Sequence, residues 1–165
     1  MKVYVASSWK NETLQPTVVS GLRKLGCEVY DFRHPKPGDD GFSWSEIDPQ
    51  WRSWNMAQFR DALGHPLAVD GFKSDMDALK ACDACVLVLP CGKSAHLELG
   101  YAVGAGKKTV ILGLPMNGPH EPELMYKMCD AVFGSLGELY AWAGEQLAPR
   151  VAGATTGAHA GDARG

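Results

Sequence analysis

The chain has 165 residues, 45% of them hydrophobic and 21% charged, ordinary proportions for a folded chain that buries a core. Lys and Arg number 16 against 19 Asp and Glu, a formal net charge of -3, which argues against binding to a nucleic-acid backbone. No apolar run approaches the roughly 18 residues of a membrane span, and the apolar start around Val3 to Ala6 is too short for a secretory signal. A cytoplasmic protein is expected, with no membrane and no nucleic-acid partner.

The five cysteines are Cys27, Cys82, Cys85, Cys91 and Cys129, an odd number that reads as free thiols in a reducing compartment. Cys82 and Cys85 have the spacing of a redox pair, but such a pair opens a helix, whereas this one closes a helix and enters a strand. It reads as structural. The histidines show no paired ligand spacing, so neither a metal nor a cofactor is implied.

Lys2 to Ala6 reads as a first strand, followed by a polar turn, Ser7-Ser8-Trp9-Lys10. Leu14, Val18, Leu22 and Leu25 fall on one helical face, with Pro16 in the first turn and Gly26 as a stop. Glu28 to Phe32 is the next strand. Residues 33–73 read as a long, Trp-rich insertion, in which Asp48-Pro49 predicts a helix start running to about Leu63. Trp44, Trp51 and Trp54 either pin this excursion to the core or wall a substrate site.

Regular structure resumes at Ser74, a predicted cap for a short helix to Cys82. Ala84 to Leu89 is a continuous apolar run, the mark of a strand covered on both faces. Ser94 is the predicted cap of a helix to about Ala105, in which Gly100 and Gly104 suggest close packing on a sheet. Thr109 to Leu112 is another buried strand. A short helix from Pro122 to Met128, a strand at Ala131 to Phe133 and a helix from Leu136 to Leu147 follow. Residues 1–150 read as one domain, and 151–165 as a disordered tail.

Strands alternating with helices predict an α/β, flavodoxin- or Rossmann-like doubly wound parallel sheet of five strands in order 2-1-3-4-5, helices on both faces. Ligands on such sheets sit beyond the carboxyl ends of the strands, where the order reverses. That selects the Ser7 to Lys10 turn and the Cys91 to Ser94 turn. Ser94 at a helix start leaves backbone N–H groups for an anion, and Glu98 lies on the same helical face. The helix dipole is expected to keep Glu98 ionised, as a nucleophile on a sugar carbon requires. Glu98 reads equally as a solvent-exposed residue of a capped helix. Asp75, placed near its helix start, supplies a second carboxylate for a proton donor, or is a helix-end charge. Asp83 reads as a turn residue at the opposite end of the sheet, and His96 as a residue able to face solvent. Gly92-Lys93-Ser94 has the ending of a P-loop, but Leu87 stands where its first glycine belongs.

Taken together, Tyr4-Val-Ala-Ser-Ser-Trp9, the Asp75 and Asp83 pair, and Glu98-Leu-Gly-Tyr-Ala102 resemble the nucleoside 2-deoxyribosyltransferase superfamily, including its deoxynucleoside 5′-monophosphate N-hydrolase branch. The likeness runs from residue 1 to about 113. It implies Glu98 as the nucleophile that forms a glycosyl-enzyme intermediate, Asp75 as the acid for the leaving base, and Tyr4 as the residue orienting Glu98. Ala6, Ser7, Ser8, Trp9 and Lys10 would line the substrate from the first turn. Gly92 and Ser94 would meet it from the other, near a 5′-phosphate. The segment from Glu121 to Met125, with Met125 as the contact, would complete a neighbouring site in a homodimer or higher homo-oligomer.

Gly92 stands where the transferase branch carries an acidic residue. That leaves open the base, deoxyribose or ribose, free nucleoside or nucleotide, and water or a second base as acceptor. A TIR-like NAD glycohydrolase, with its helical glutamate, and a non-catalytic nucleotide-binding module are the alternative readings.

Overall fold

The computed structural model describes residues 1–114 and 123–148. Among the described residues five strands, β1 (Lys2–Ala6), β2 (Glu28–Tyr30), β3 (Ala84–Val88), β4 (Lys108–Leu112) and β5 (Ala131–Phe133), form one sheet in the order β2-β1-β3-β4-β5. Every neighbouring pair is parallel, with Tyr4 opposite Tyr30 and opposite Cys85. This is the predicted topology, and its order reverses between β1 and β3. Among the described residues α1 (Leu14–Lys24) joins β1 to β2, α2 (Met56–Ala62) and α3 (Pro66–Ala81) lie between β2 and β3, α4 (Lys93–Gly104) joins β3 to β4, and α5 (Leu136–Leu147) follows β5.

Alternation along each strand divides the core into two layers. Val3, Val5, Val86, Val88, Val110 and Leu112 pack on one face with Val18 and Leu22 of α1 and Leu139 and Ala143 of α5. Tyr4, Ala6, Cys85, Leu87 and Ile111 pack on the other with Leu79 of α3 and Ala95, Leu99 and Ala102 of α4. All five residues of β3 are buried, which explains its unbroken apolar sequence. The same alternation puts Tyr4 on the face that α3 and α4 cover.

Several local expectations change. Leu25 is the C-cap of α1 and is exposed, because the helical face ends with Leu22. No helix opens at Asp48-Pro49; Trp44–Glu46 and Trp51–Ser53 are single 3-10 turns, and Asp48 instead accepts hydrogen bonds from Gln50 N and Trp54 Nε1. The helix there is α2, opened by a capping box of Asn55 and Gln58. Ser74 caps nothing, since α3 starts much earlier, with Pro66 at its first position and His65 as its N-cap. Helix α4 is capped by Gly92, with no side-chain bond, and Ser94 lies exposed inside it. A Cβ on Gly100 or Gly104 would meet nothing, so close packing does not explain them. The close approach lies at Gly21 of α1, where the Tyr140 ring of α5 leaves no room for a Cβ.

The insertion forms a satellite cluster. Trp44 packs edge-on against Phe42, Trp54 and Phe59 at centroid distances of 4.7, 5.8 and 5.8 Å. Phe42 seats on Gly71 of α3, where a Cβ would stand 2.9 Å from it. The cluster therefore pins the excursion to α3 rather than to the sheet.

The cysteines among the described residues are free, with Cys82 capping α3 and Cys85 buried in β3, the structural role expected of them. No helix among the described residues is long and apolar enough to cross a membrane. The tail 151–165, with Glu121 and Pro122, lies outside the described residues.

Candidate active site

Three elements bring the candidate catalytic residues together at the carboxyl end of the sheet. Tyr4 projects from β1 and is fully buried. Asp75 lies in the interior of α3, not near its start as predicted, and Glu98 lies in the second turn of α4. Both carboxyls are part-buried.

Burial pushes the Glu98 carboxyl up to about 7; the charge of Asp75 adds to the rise and the Tyr4 hydroxyl opposes it. The dipole expectation therefore fails: its influence fades within the first helical turn, and desolvation between buried Ala95 and Leu99 outweighs it. Asp75 is also raised by burial, with the hydrogen bond from Tyr30 working against the rise. An ionised Asp75 near Glu98 makes Glu98 hold its proton more readily than an isolated carboxyl would. That is the electrostatic condition for one to act as nucleophile while the other is an acid.

The Tyr4 hydroxyl is buried with no hydrogen-bond partner at bonding distance, yet it lies close enough to Glu98 to lower that carboxyl's pKa. Burial, followed by the charges of Glu98 and Asp75, raises the phenol's own pKa far enough to keep it a neutral donor.

The turn after β1 is braced from both sides. The Ser7 hydroxyl donates to Val88 O at 2.8 Å and accepts from Asn11 Nδ2 at 3.2 Å, so its proton is already used in the fold. Ser8 Oγ accepts from Lys10 N, while the Lys10 side chain is exposed. Trp9 is 45% exposed, edge-on to Phe32 and beneath the Arg33 guanidinium, which donates to Trp9 O at 2.6 Å. Gly41 closes over it: its φ is 77°, and a Cβ would stand 2.9 Å from the Trp9 ring. Ala6 is wholly buried at the end of β1.

On the other side, Gly92 and Ser94 are exposed at the start of α4. His96 is exposed but engaged: its ring lies 3.0 Å from Gly92 O and 2.9 Å from the Tyr126 hydroxyl, and stacks on Tyr126. If Nδ1–H donates to Gly92, Nε2 accepts from Tyr126. This clips the 3-10 turn Leu124–Met128, with exposed Met125, to the start of α4. Burial and the charge of Glu98 push the neighbouring Cys91 thiol up to about 11, so it stays protonated. Asp83 is at the far end of the sheet, accepting from Lys2 N at 2.7 Å, in the turn role predicted.

A surface groove of about 580 Å³ runs outside β2, past Asp31, His34 and Asp39; it shares Tyr30 with the site but not the carboxyl pair. Among the described residues no group of three or more His, Cys, Asp and Glu side chains could hold a metal ion.

No family model and no curated protein matches the chain. Solved structures do. A 2-deoxyribosyltransferase from the psychrotolerant bacterium Bacillus psychrosaccharolyticus aligns over 85% of this chain and 90% of its own, with 22% identity and a TM-score of 0.59. The chain shares its fold with a 2-deoxyribosyltransferase. A conserved protein from Enterococcus faecalis V583 aligns over 89% and 99%, with 16% identity and the same TM-score. The CMP N-glycosidase BcmB of Clostridium botulinum aligns over 86% and 97%, with 17% identity and a TM-score of 0.48.

Sequence reasoning missed one residue on this fold. Tyr30, at the end of β2, donates to Asp75 Oδ1 at 2.8 Å and stacks on Tyr4 with ring centroids 5.2 Å apart. The signal was available, because parallel pairing of the first two strands sets Tyr30 beside Tyr4 on the same face.

Proposed function

We propose that this chain belongs to the nucleoside 2-deoxyribosyltransferase superfamily and cleaves the N-glycosidic bond of a nucleoside or nucleoside 5′-monophosphate, by transfer or hydrolysis. The observation that carries the reading is the pair of part-buried carboxyls, Asp75 and Glu98, with the buried Tyr4 hydroxyl acting on Glu98 and the Tyr30 hydroxyl bonded to Asp75.

In the first step ionised Glu98 attacks C1′ of the sugar. The bond from C1′ to the base nitrogen breaks as Asp75 passes its proton to the base, leaving a glycosyl ester on Glu98 and an ionised Asp75. In the second step water or another base attacks C1′, Asp75 takes the proton released, and the ester bond breaks to restore the Glu98 carboxylate. Tyr4 donates to Glu98 and sets its orientation, and Trp9 packs against the base or sugar. Ser8, Ser94 and the backbone around Gly92 face a 5′-phosphate where the substrate carries one; Ser7, already bonded within the fold, positions this turn.

Chemistry needs the pair singly protonated; that proton rests on Glu98, whose carboxyl is pushed up to about 7, and the reactive form is the minor one in which it has passed to Asp75. The reaction fails at low pH, where both carboxyls hold protons, and again as pH rises through about 7, where the last proton leaves. A bell-shaped profile of kcat/KM follows.

The chain works as a homodimer or higher homo-oligomer in this reading. Support comes from exposed Leu97 and Tyr101 on α4 and from Leu124, Met125 and Met128 in the turn clipped to it. Five cysteines, with no disulfide among the described ones, support a reducing, cytoplasmic setting.

The test is chromatography of nucleosides, their 5′-monophosphates and NAD after incubation with wild type and Glu98→Ala. Free base released by wild type alone supports the reading, and the best substrate identifies the sugar and any phosphate requirement. Nicotinamide release from NAD alone would point to the glycohydrolase reading. Equal base release by Glu98→Ala would remove Glu98 as nucleophile, and binding without product would leave a nucleotide-binding module.

A further inference from the structure

We propose that Tyr30 and Ser74 are positioning residues that fix which oxygen of Asp75 carries the transferable proton, an inference that rests on Asp75 being the proton donor in the reaction above. The Tyr30 hydroxyl lies 2.8 Å from Asp75 Oδ1 and 3.2 Å from Ser74 Oγ. A phenol has one proton to give, and an ionised carboxylate has none. Tyr30 therefore donates to Asp75, and Ser74 must donate to Tyr30. The chain of donors runs one way, from Ser74 through Tyr30 to Oδ1.

That polarity decides where Asp75 is protonated. A proton on Oδ1 would leave Tyr30 donating to a hydroxyl oxygen, a poorer acceptor, or require both hydroxyls to turn around, whereas a proton on Oδ2 keeps Oδ1 the better acceptor and requires neither to move. Oδ2 becomes the acidic oxygen, and Oδ1 is held as an acceptor. When the bond from C1′ to the base breaks, the proton on Oδ2 goes to the base nitrogen. The negative charge left on Asp75 is met at Oδ1 by a donor already in place, which spares the cost of reorganising it. In the second step the proton from water or the incoming base returns to Oδ2.

Local structure supports this use of both residues. A serine within a helix commonly bonds back to its own backbone, but Ser74 reaches across from α3 to β2. Tyr30 is held flat on Tyr4, their ring planes 18° apart and the residues paired in register. Two stacked tyrosines thus address the two carboxyls separately, Tyr4 toward Glu98 and Tyr30 toward Asp75.

The variant that tests this is Tyr30→Phe, which keeps the stacked ring and removes only the hydroxyl; Ser74→Ala removes the next donor. Each is assayed on the natural nucleoside or nucleotide and on a para-nitrophenyl glycoside of the same sugar, whose leaving group departs without a proton. The expected result is a loss of roughly tenfold in kcat for Tyr30→Phe on the natural substrate. The nitrophenyl glycoside should turn over nearly as in wild type, and Ser74→Ala should show a smaller loss of the same pattern. Equal losses on both substrates, or none on either, would overturn the inference while leaving the functional reading standing. Release by wild type of neither base from the natural substrate nor nitrophenol from the glycoside would instead overturn that reading, and this inference with it.

Discussion

At Glu98 two electrostatic effects compete, and burial wins. The residue lies beyond the reach of the helix dipole, in a layer with Ala95, Leu99 and Ala102, and its carboxyl rises to about 7. The stability consequence has a definite sign. The unfolded chain ionises Glu98 near its ordinary value of 4.5, while the folded chain holds the proton to about 7. Stability due to this group is therefore greatest below the lower value, declines through the window and stays low above 7. Glu98→Gln, which cannot ionise, should raise Tm relative to wild type at about pH 8 and make little difference at about pH 4. The gain should not exceed about 3 kcal/mol. Thermal unfolding at both pH values checks it, and an equal effect at the two would contradict a buried, raised carboxyl. The position of Glu98 was legible in its motif; its protonation behaviour was not, because that depends on neighbours brought in by the sheet and α3.

At the scale of elements, the strands were readable and the helix boundaries of the insertion were not. β3 and β4 are apolar runs because both faces are covered, a pattern no surface segment imitates. Helix α3 hides its period: only Ala68 and Leu79 are buried, while Leu67, Val69 and Phe72 face outward. An apolar outer face blurs the 3.6-residue repeat, so the helix read as starting at Ser74 and Asp75 was misplaced within it. The capping box of Asn55 and Gln58 was a visible signal for α2, overshadowed by Asp48-Pro49. The aromatic cluster of Phe42, Trp44, Trp54 and Phe59 lies outside both core layers. It should therefore open as a unit of its own. Trp44→Ala should speed amide hydrogen exchange across residues 42–60 while leaving exchange in β1, β3 and β4 unchanged. Faster exchange in the central strands as well would show that the insertion is part of the core.

Over the whole molecule, the sheet order follows from alternating elements and right-handed crossovers, and it puts the reversal between β1 and β3 beside the Tyr4, Asp75 and Glu98 cluster. Assembly is not written in that order. Leu97 and Leu124 are each at least 76% exposed, and both belong to elements that border the site. The proposed assembly predicts that a second copy of the chain covers them. Light scattering should give a mass of at least two chains, and Leu97→Lys with Leu124→Lys should reduce it to one and lower turnover with it. A single-chain mass for fully active wild type would contradict the proposed assembly.

In the proposed mechanism, formation of a glycosyl ester on Glu98 is the step on which the chemistry turns. Asp75→Asn, supplied with a sugar whose leaving group needs no proton, should form that ester and lack the base to discharge it. Acid quenching followed by mass spectrometry of the peptides should then find one sugar on the peptide that carries Glu98. Rapid base or nitrophenol release with an unmodified Glu98 peptide would mean that water attacks the sugar directly and that Glu98 is not the nucleophile.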